Sequence, residues 1–342
     1  MSRSESAYPV PEADTQAVYI GTLGGDGLVV AEADGPALRV TGALTELREP
    51  SALAFGADRR TLYAVSELAQ GRVTAVDVSD PGKPVVWQSQ LSGGNGPTHL
   101  AVVGRYVVTA HYGDGVVAAN RLGGDGSVGP VASKVRHPGA TPHAHQVVPD
   151  PSGRWLLSVD LGADAVFVHG LDQRTGKLTA HSRMPLPAGT GPRHLVFHPD
   201  GTRVFVLAEL RPEITTAHWD GVAGTLNPGS SVRVTGPDAP DPTYPAEIVV
   251  SQDGRFLYAT TRGEDAVAVL RVESSGPVLV QTSPTGGAWP RHCALGPDGR
   301  WLYVANQHSD TVTWLPRDPA TGELGPVAGS IPVRGAVWVE FA

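Results

Sequence analysis

Apolar residues along this chain come in short runs broken by tight turns, and no segment sustains a helical period. In PRHLVFHPDGTRVFVLAE, from Pro192, an apolar run meets a D-G turn and a second run rich in Val, Leu and aromatics follows. Third runs such as GRVTAVDV and DAVAVLRV come after the corresponding copies. The figure recurs from Pro50, Pro97, Pro142, Pro245 and Pro290, about every 45–53 residues. At Gly335 a further copy, GAVWVEFA, begins, and AVYIGTL, LVVAEAD and ALRVTGAL (residues 17–44) supply three more strands. Six whole units and one split unit predict an all-β, seven-bladed β-propeller whose last blade is closed by the C-terminal strand plus three N-terminal strands. Runs apolar on both faces suit blades sandwiched between neighbours. One domain is expected over residues 15–342, with residues 1–14 as a disordered tail.

Composition narrows the function. The net charge of −8, from 26 Lys+Arg against 34 Asp+Glu, argues against a nucleic-acid partner. No apolar run reaches the roughly 18 residues of a membrane helix. The polar N-terminus MSRSESAYPVPEAD lacks the apolar stretch of a secretion signal, and Cys293 is the single cysteine. A cytoplasmic protein without membrane association is expected, and a closed ring, being self-sufficient, is expected to be a monomer. Gly 42 and Pro 30 make up about a fifth of the chain and fall at regular intervals, as turns do.

Polar residues cluster at one end of the repeat. In an up-and-down blade the start of the innermost strand and the end of the second meet at one mouth of the central channel. The strand starts carry Thr98-His99, His143-Ala144-His145, Arg193-His194, Ala246-Glu247 and Arg291-His292. The second strands end at Glu67, Glu209, Arg262 and Gln307, and in units 2 and 3 near His111 and Asp160. A repeat explains recurring apolar positions but not a rim that varies among Arg, His and Glu, which is how a site grafted on a scaffold reads.

With these residues in view, the chain resembles the lactonase family that includes propeller-type 6-phosphogluconolactonases and the fungal 3-carboxy-cis,cis-muconate lactonizing enzymes. GPRHLVFHPDG with the strand end AEL, YPAEIVVSQDGRFLYATTRGED and the WPR of GGAWPRH are similar to the family's motifs, and the likeness runs from about Val18 to Phe341. Ala208 stands where an Asn usually precedes the glutamate, and His292-Cys293 where many relatives have Asp-Phe. The resemblance implies His143, Arg193, Glu209 and Arg291 as catalytic residues. His99, His111, Glu247, Arg262, His292 and Gln307 are expected to bind substrate.

The implied reaction is hydrolysis of a small anionic lactone, 6-phospho-D-glucono-1,5-lactone foremost, with Glu209 or His143 as base and the arginines on the anion or the carbonyl. Cyclisation of a muconate-type dicarboxylate would use the same groups, and a non-enzymatic propeller platform is the third reading. No cofactor and no metal are expected: His143 and His145 lie on one side of a strand, but a full site needs a third protein ligand. His145 reads as supporting or structural, and His194 and His198 as supports for their strand and turn. Cys293 reads as a small core residue. GTLGGDG (21–27) leads into a strand, not a helix, so it is no dinucleotide loop. Residues 224–244 lengthen the fourth blade, as a lid over the mouth or as a surface insertion.

Overall fold

In the computed structural model, which describes residues 16–342, alternating apolar runs become 28 strands in seven four-stranded antiparallel sheets. Among the described residues no helix occurs. The innermost strands are Pro50–Phe55, Pro97–Val103, Ala144–Pro149, Pro192–Phe197, Tyr244–Val250, Pro290–Leu295 and Ala336–Phe341. Blades 1 to 7 are numbered in that order. The closing sheet pairs Ala336–Phe341 with Gln16–Thr22, Leu28–Asp34 and Ala37–Leu44, as the split repeat implied. The tail expected at residues 1–14 lies outside the described residues.

The core is distributed. Seven apolar clusters form, each shared by two neighbouring blades; Leu157 and Val159 of blade 3 meet Leu195 and Val206 of blade 4, for example. Second strands such as Thr61–Ser66 are buried at every position, because each blade is covered on both faces. Cys293 lies in one of these clusters, and burial pushes its thiol well above the ordinary value, so it is a core residue and not a nucleophile. The first part of residues 224–244 is not an insertion added to a finished blade. Thr225–Arg233 is the outermost strand of blade 4, paired with Glu213–Asp220, and the remainder connects it to blade 5.

One irregularity recurs in all seven blades. Each innermost strand has a register shift just inside its start: Pro192 pairs with Ala208 but His194 with Leu207, and Pro290 pairs with Asn306 but His292 with Ala305. The other five do likewise. Such a bulge holds one extra residue and interrupts the alternation of side chains, so consecutive residues can serve one cavity.

Candidate active site in the channel mouth

The bulges seat the arginines. Arg193 and Arg291 are the extra residues of blades 4 and 6, and the same seat in blade 3 holds His145, one turn of the pattern later than Pro142-His143 would suggest. Arg193 is 2% exposed; its Nη1 donates to the Ala246 carbonyl and its Nε stands 3.1 Å from Glu209 Oε2. That ion pair is not a hydrogen bond, because the N–H is not aimed at the oxygen, and Nε is left buried with no acceptor. Burial first and the Arg262 charge second push the Arg193 pKa down, to about 9, while Glu209 opposes them. An incoming anion would supply the missing counter-charge.

Arg262 closes the other side of Glu209, with Nη2 2.8 Å from the same Oε2. It also donates to the carbonyls of Tyr244 and Pro245 and lies 5.2 Å over the Trp289 ring. Trp289 itself has φ of 62°, a left-handed conformation rare for a bulky residue, just before Pro290-Arg291. Arg291 pairs with Glu67, Nη2 to Oε2, at 3.1 Å. Three guanidiniums thus face two carboxylates at one mouth, an arrangement suited to holding an anion.

His143 is half-buried and oriented by Tyr112: its Nδ1 donates to the Tyr112 carbonyl at 2.6 Å and its ring stacks on the Tyr112 ring at 4.4 Å. With the hydrogen on Nδ1, a neutral imidazole presents Nε2 as an acceptor. Asp160 holds this turn, its Oδ1 accepting from the His143 and Ala163 backbone N–H groups at 2.8 Å. Asp160 Oδ2 takes His137 Nδ1 at 2.7 Å, and His137 Nε2 meets Ser158 Oγ at 2.9 Å. This Ser-His-Asp order mimics a hydrolase triad, but all three are at most 1% exposed inside blade 3, so it braces the turn and reaches no substrate.

Two placements from the sequence are corrected. The rim seat that Glu67, Glu209, Arg262 and Gln307 occupy belongs in blade 2 to Tyr112 and in blade 3 to Leu161, not to His111 and Asp160. His111 pairs with Pro97 and Asp160 with Ala144, just as Ala208 pairs with Pro192. A slip of one residue along a strand reverses the face. His111 is therefore fully buried, bonded through Nε2 to Ser92 Oγ and through Nδ1 to the Val116 carbonyl, with both ring nitrogens satisfied inside blade 2 and not at the rim. His194, read as a strand support, lies in the channel instead, 2.9 Å from Glu247 and 3.2 Å from His145. His198 does hold its turn, through Gly254 and Arg203.

The remaining expected residues line the channel at two depths. Gln307 is at the rim, its Oε1 buried without a partner. His99, Glu247 and His292 lie deeper, with His292 stacked on Trp338 at 4.0 Å. Burial first, and for His99 the neighbouring His194 second, lower the pKa values of the two histidines, to about 3 for His99 and about 4 for His292. Sequence reasoning missed Tyr112 and Trp338 and left Glu67 as a rim position without a role. Burial and then Glu209 raise the Tyr112 pKa while Arg193, Arg262 and Arg291 lower it, which sets its hydroxyl among the site charges. Among the described residues no three His, Cys, Asp or Glu side chains are grouped as a metal cage.

Comparison with known proteins bears on this geometry. The family described as "Lactonase, 7-bladed beta-propeller" matches residues 17–341. A 6-phosphogluconolactonase of Bacillus subtilis is 30% identical, over 94% of this chain and 97% of its own. That of Pectobacterium carotovorum is 28% identical, over 81% and 80%. The periplasmic gluconolactonase of Pseudomonas aeruginosa superposes with a TM-score of 0.91 at 29% identity, covering 96% of this chain and 99% of that one.

Proposed function

The chain belongs to the seven-bladed β-propeller lactonase family, and from that premise we propose that it hydrolyses 6-phospho-D-glucono-1,5-lactone to 6-phosphogluconate without a metal or cofactor. The observation that carries the reading is Arg193, whose Nη2 has no hydrogen-bond partner among the described residues and is not sealed, together with two further guanidiniums and a histidine whose Nε2 is likewise unpartnered. The names of the relatives favour the lactone over a muconate substrate and over a binding platform.

His143 Nε2 takes a proton from water as its oxygen attacks C1. Arg193 donates to the carbonyl oxygen, which becomes the tetrahedral oxyanion. The intermediate then collapses, the bond from C1 to the ring oxygen breaks, and the His143 imidazolium returns its proton to that oxygen. Glu209 is the lesser candidate for base, because two guanidiniums flank its Oε2; it holds Arg193 and Arg262 in place. Arg291, the most accessible of the three, suits the phosphate. A phosphorylated substrate, which membranes confine, supports a cytoplasmic location, and ring closure supports a monomer.

The test follows freshly made 6-phosphogluconolactone with coupled 6-phosphogluconate dehydrogenase, with and without EDTA. Because the lactone hydrolyses by itself, only a rate proportional to protein counts. A proportional, EDTA-insensitive rate that Arg193→Ala abolishes is the expected outcome; a rate no higher than background would overturn the assignment.

A further inference from the structure

Below the arginines the channel holds a second polar layer whose hydrogen positions can be read from its contacts. Glu247 Oε1 accepts from the Ile248 backbone N–H at 3.0 Å and lies 2.9 Å from His194 Nδ1, so that nitrogen carries a hydrogen. Burial first and the Arg193 charge second keep the His194 ring neutral, which makes its Nε2 an acceptor. His145 Nδ1, 3.2 Å away, must then be the donor. His145 is neutral for the same two reasons, and its Nε2 is left bare. That atom has no hydrogen-bond partner among the described residues, yet it is not one of the sealed, unpartnered atoms, so it opens to the channel. Its oriented chain, Glu247 to His194 to His145, is polarised toward this free end.

His99 is the companion observation. Neither of its ring nitrogens is hydrogen-bonded among the described residues, and Nδ1 is sealed from solvent. The ring is held only by edge-on packing, 5.5 Å from His194 and 5.6 Å from Trp338. Buried polar atoms in folded proteins nearly always have partners, and exceptions call for a ligand or water. With Nδ1 sealed, Nε2 is the nitrogen that a ligand can reach, and a neutral imidazole nitrogen there suits an alcohol, which can donate or accept; phosphate and carboxylate would want a cation, which is what the rim above supplies. Trp338, stacked on His292, adds an apolar face beside these nitrogens for the carbon-bound hydrogens of a ring.

We propose that His99 and His145 recognise the hydroxyl groups of a polyhydroxylated lactone, with His194 and Glu247 as the positioning residues that leave His145 Nε2 free. The proposal rests on the lactone-hydrolase reading above and adds what selects a sugar lactone over a bare cyclic ester. A site built to hydrogen-bond a hydroxyl discriminates strongly against the analogue that lacks it, because its own polar atoms are then left unpaired.

The experiment compares kcat/KM on D-glucono-1,5-lactone, which carries the hydroxyls, and on δ-valerolactone, which has none, for the full chain and for His99→Phe, His145→Gln and Glu247→Gln. Phenylalanine keeps the ring volume at position 99 and removes both nitrogens. For His99→Phe the expected result is a loss of about 10- to 100-fold on gluconolactone with valerolactone within about threefold of wild type. The same divergence is expected for the other two variants, and retained valerolactone turnover shows that each folds. Equal losses on both lactones, or none on gluconolactone, would overturn the proposal while leaving the hydrolase reading intact. A wild-type chain that hydrolyses neither these lactones nor the phosphorylated one removes both. If His99→Phe does not fold, His99→Asn is judged by the same ratio of the two rates.

Discussion

At the residue scale the site is decided by which atoms have partners. Arg193 is expected to be indispensable: Arg193→Ala removes a guanidinium whose Nη2 has no partner among the described residues, and losing such an oxyanion donor costs about 10²–10³ in kcat. Glu209→Ala has a different signature. It leaves Arg193 and Arg262 buried beside each other without their shared carboxylate, and breaking a buried pair in this way costs about 3–5 kcal/mol. Urea unfolding of that variant checks the value, and an unchanged midpoint would remove Glu209 from its holding role. His111 supplies the opposite control. Since its two ring bonds lie inside blade 2, His111→Ala is expected to lose about 2–3 kcal/mol of stability with kcat/KM within about threefold of wild type. A large kinetic loss in a stably folded variant would restore it to the site. Arg193, Glu209 and Arg262 were legible in the sequence because the repeat aligned them; Tyr112 was not, because units 2 and 3 offered a histidine and an aspartate one position early.

At the element scale the bulge explains what alternation concealed. A strand read at period two sends Arg193 and His194 to opposite faces, and the extra residue in each innermost strand brings both to the channel. The same bulge places His145 in the seat of Arg193, which no spacing from Pro142 reveals. A second recurring device joins the blades. The hydroxyls of Tyr19, Tyr63, Tyr258 and Tyr303, on four second strands, donate to carbonyls of Pro81, Gly126, Gly322 and Pro36 in turns of the next blade. Burial first, and nearby aspartates second, push Tyr19, Tyr63 and Tyr303 up to about 12, so they remain donors at any working pH. Tyr303→Phe keeps the packing and removes one latch, at an expected cost of about 1 kcal/mol with unchanged turnover. Thermal unfolding alongside the lactonase assay tests this, and a fall in kcat would mean that blade spacing reaches the site.

At the scale of the whole molecule, the number of blades and the split closure were legible because a ring of identical units repeats its pattern, whereas the channel's hydrogen-bond order depends on seven strands meeting and appears in no single repeat. That shared channel, with blade interiors around it, gives the fold a pH dependence. The pKa values of His99 and His169 are lowered to about 3 and those of His111 and His292 to about 4, burial being the largest cause in each, from an ordinary 6.5. Between those values and 6.5 the unfolded chain binds protons that the folded chain refuses. Their contribution is therefore fully present above pH 6.5 and is lost as the pH falls toward 4. At about 1.4 kcal/mol per pH unit for each proton, every one of the four removes about 2 kcal/mol by pH 5. Glu340 acts in the opposite sense: burial raises its carboxyl to about 7 from 4.5, so acidification from pH 7 to pH 5 restores about 2 kcal/mol. From these five groups the balance is a loss of about 6 kcal/mol, comparable to the whole stability of an ordinary domain, and His145 and His194, lowered by burial in the same way, act in the same direction. Urea midpoints are accordingly expected to fall steeply between pH 7 and pH 5, with proton uptake on unfolding at pH 5. Equal midpoints at the two values would mean that these histidines are charged in the folded ring, and the donor and acceptor order assigned to the channel would then be wrong.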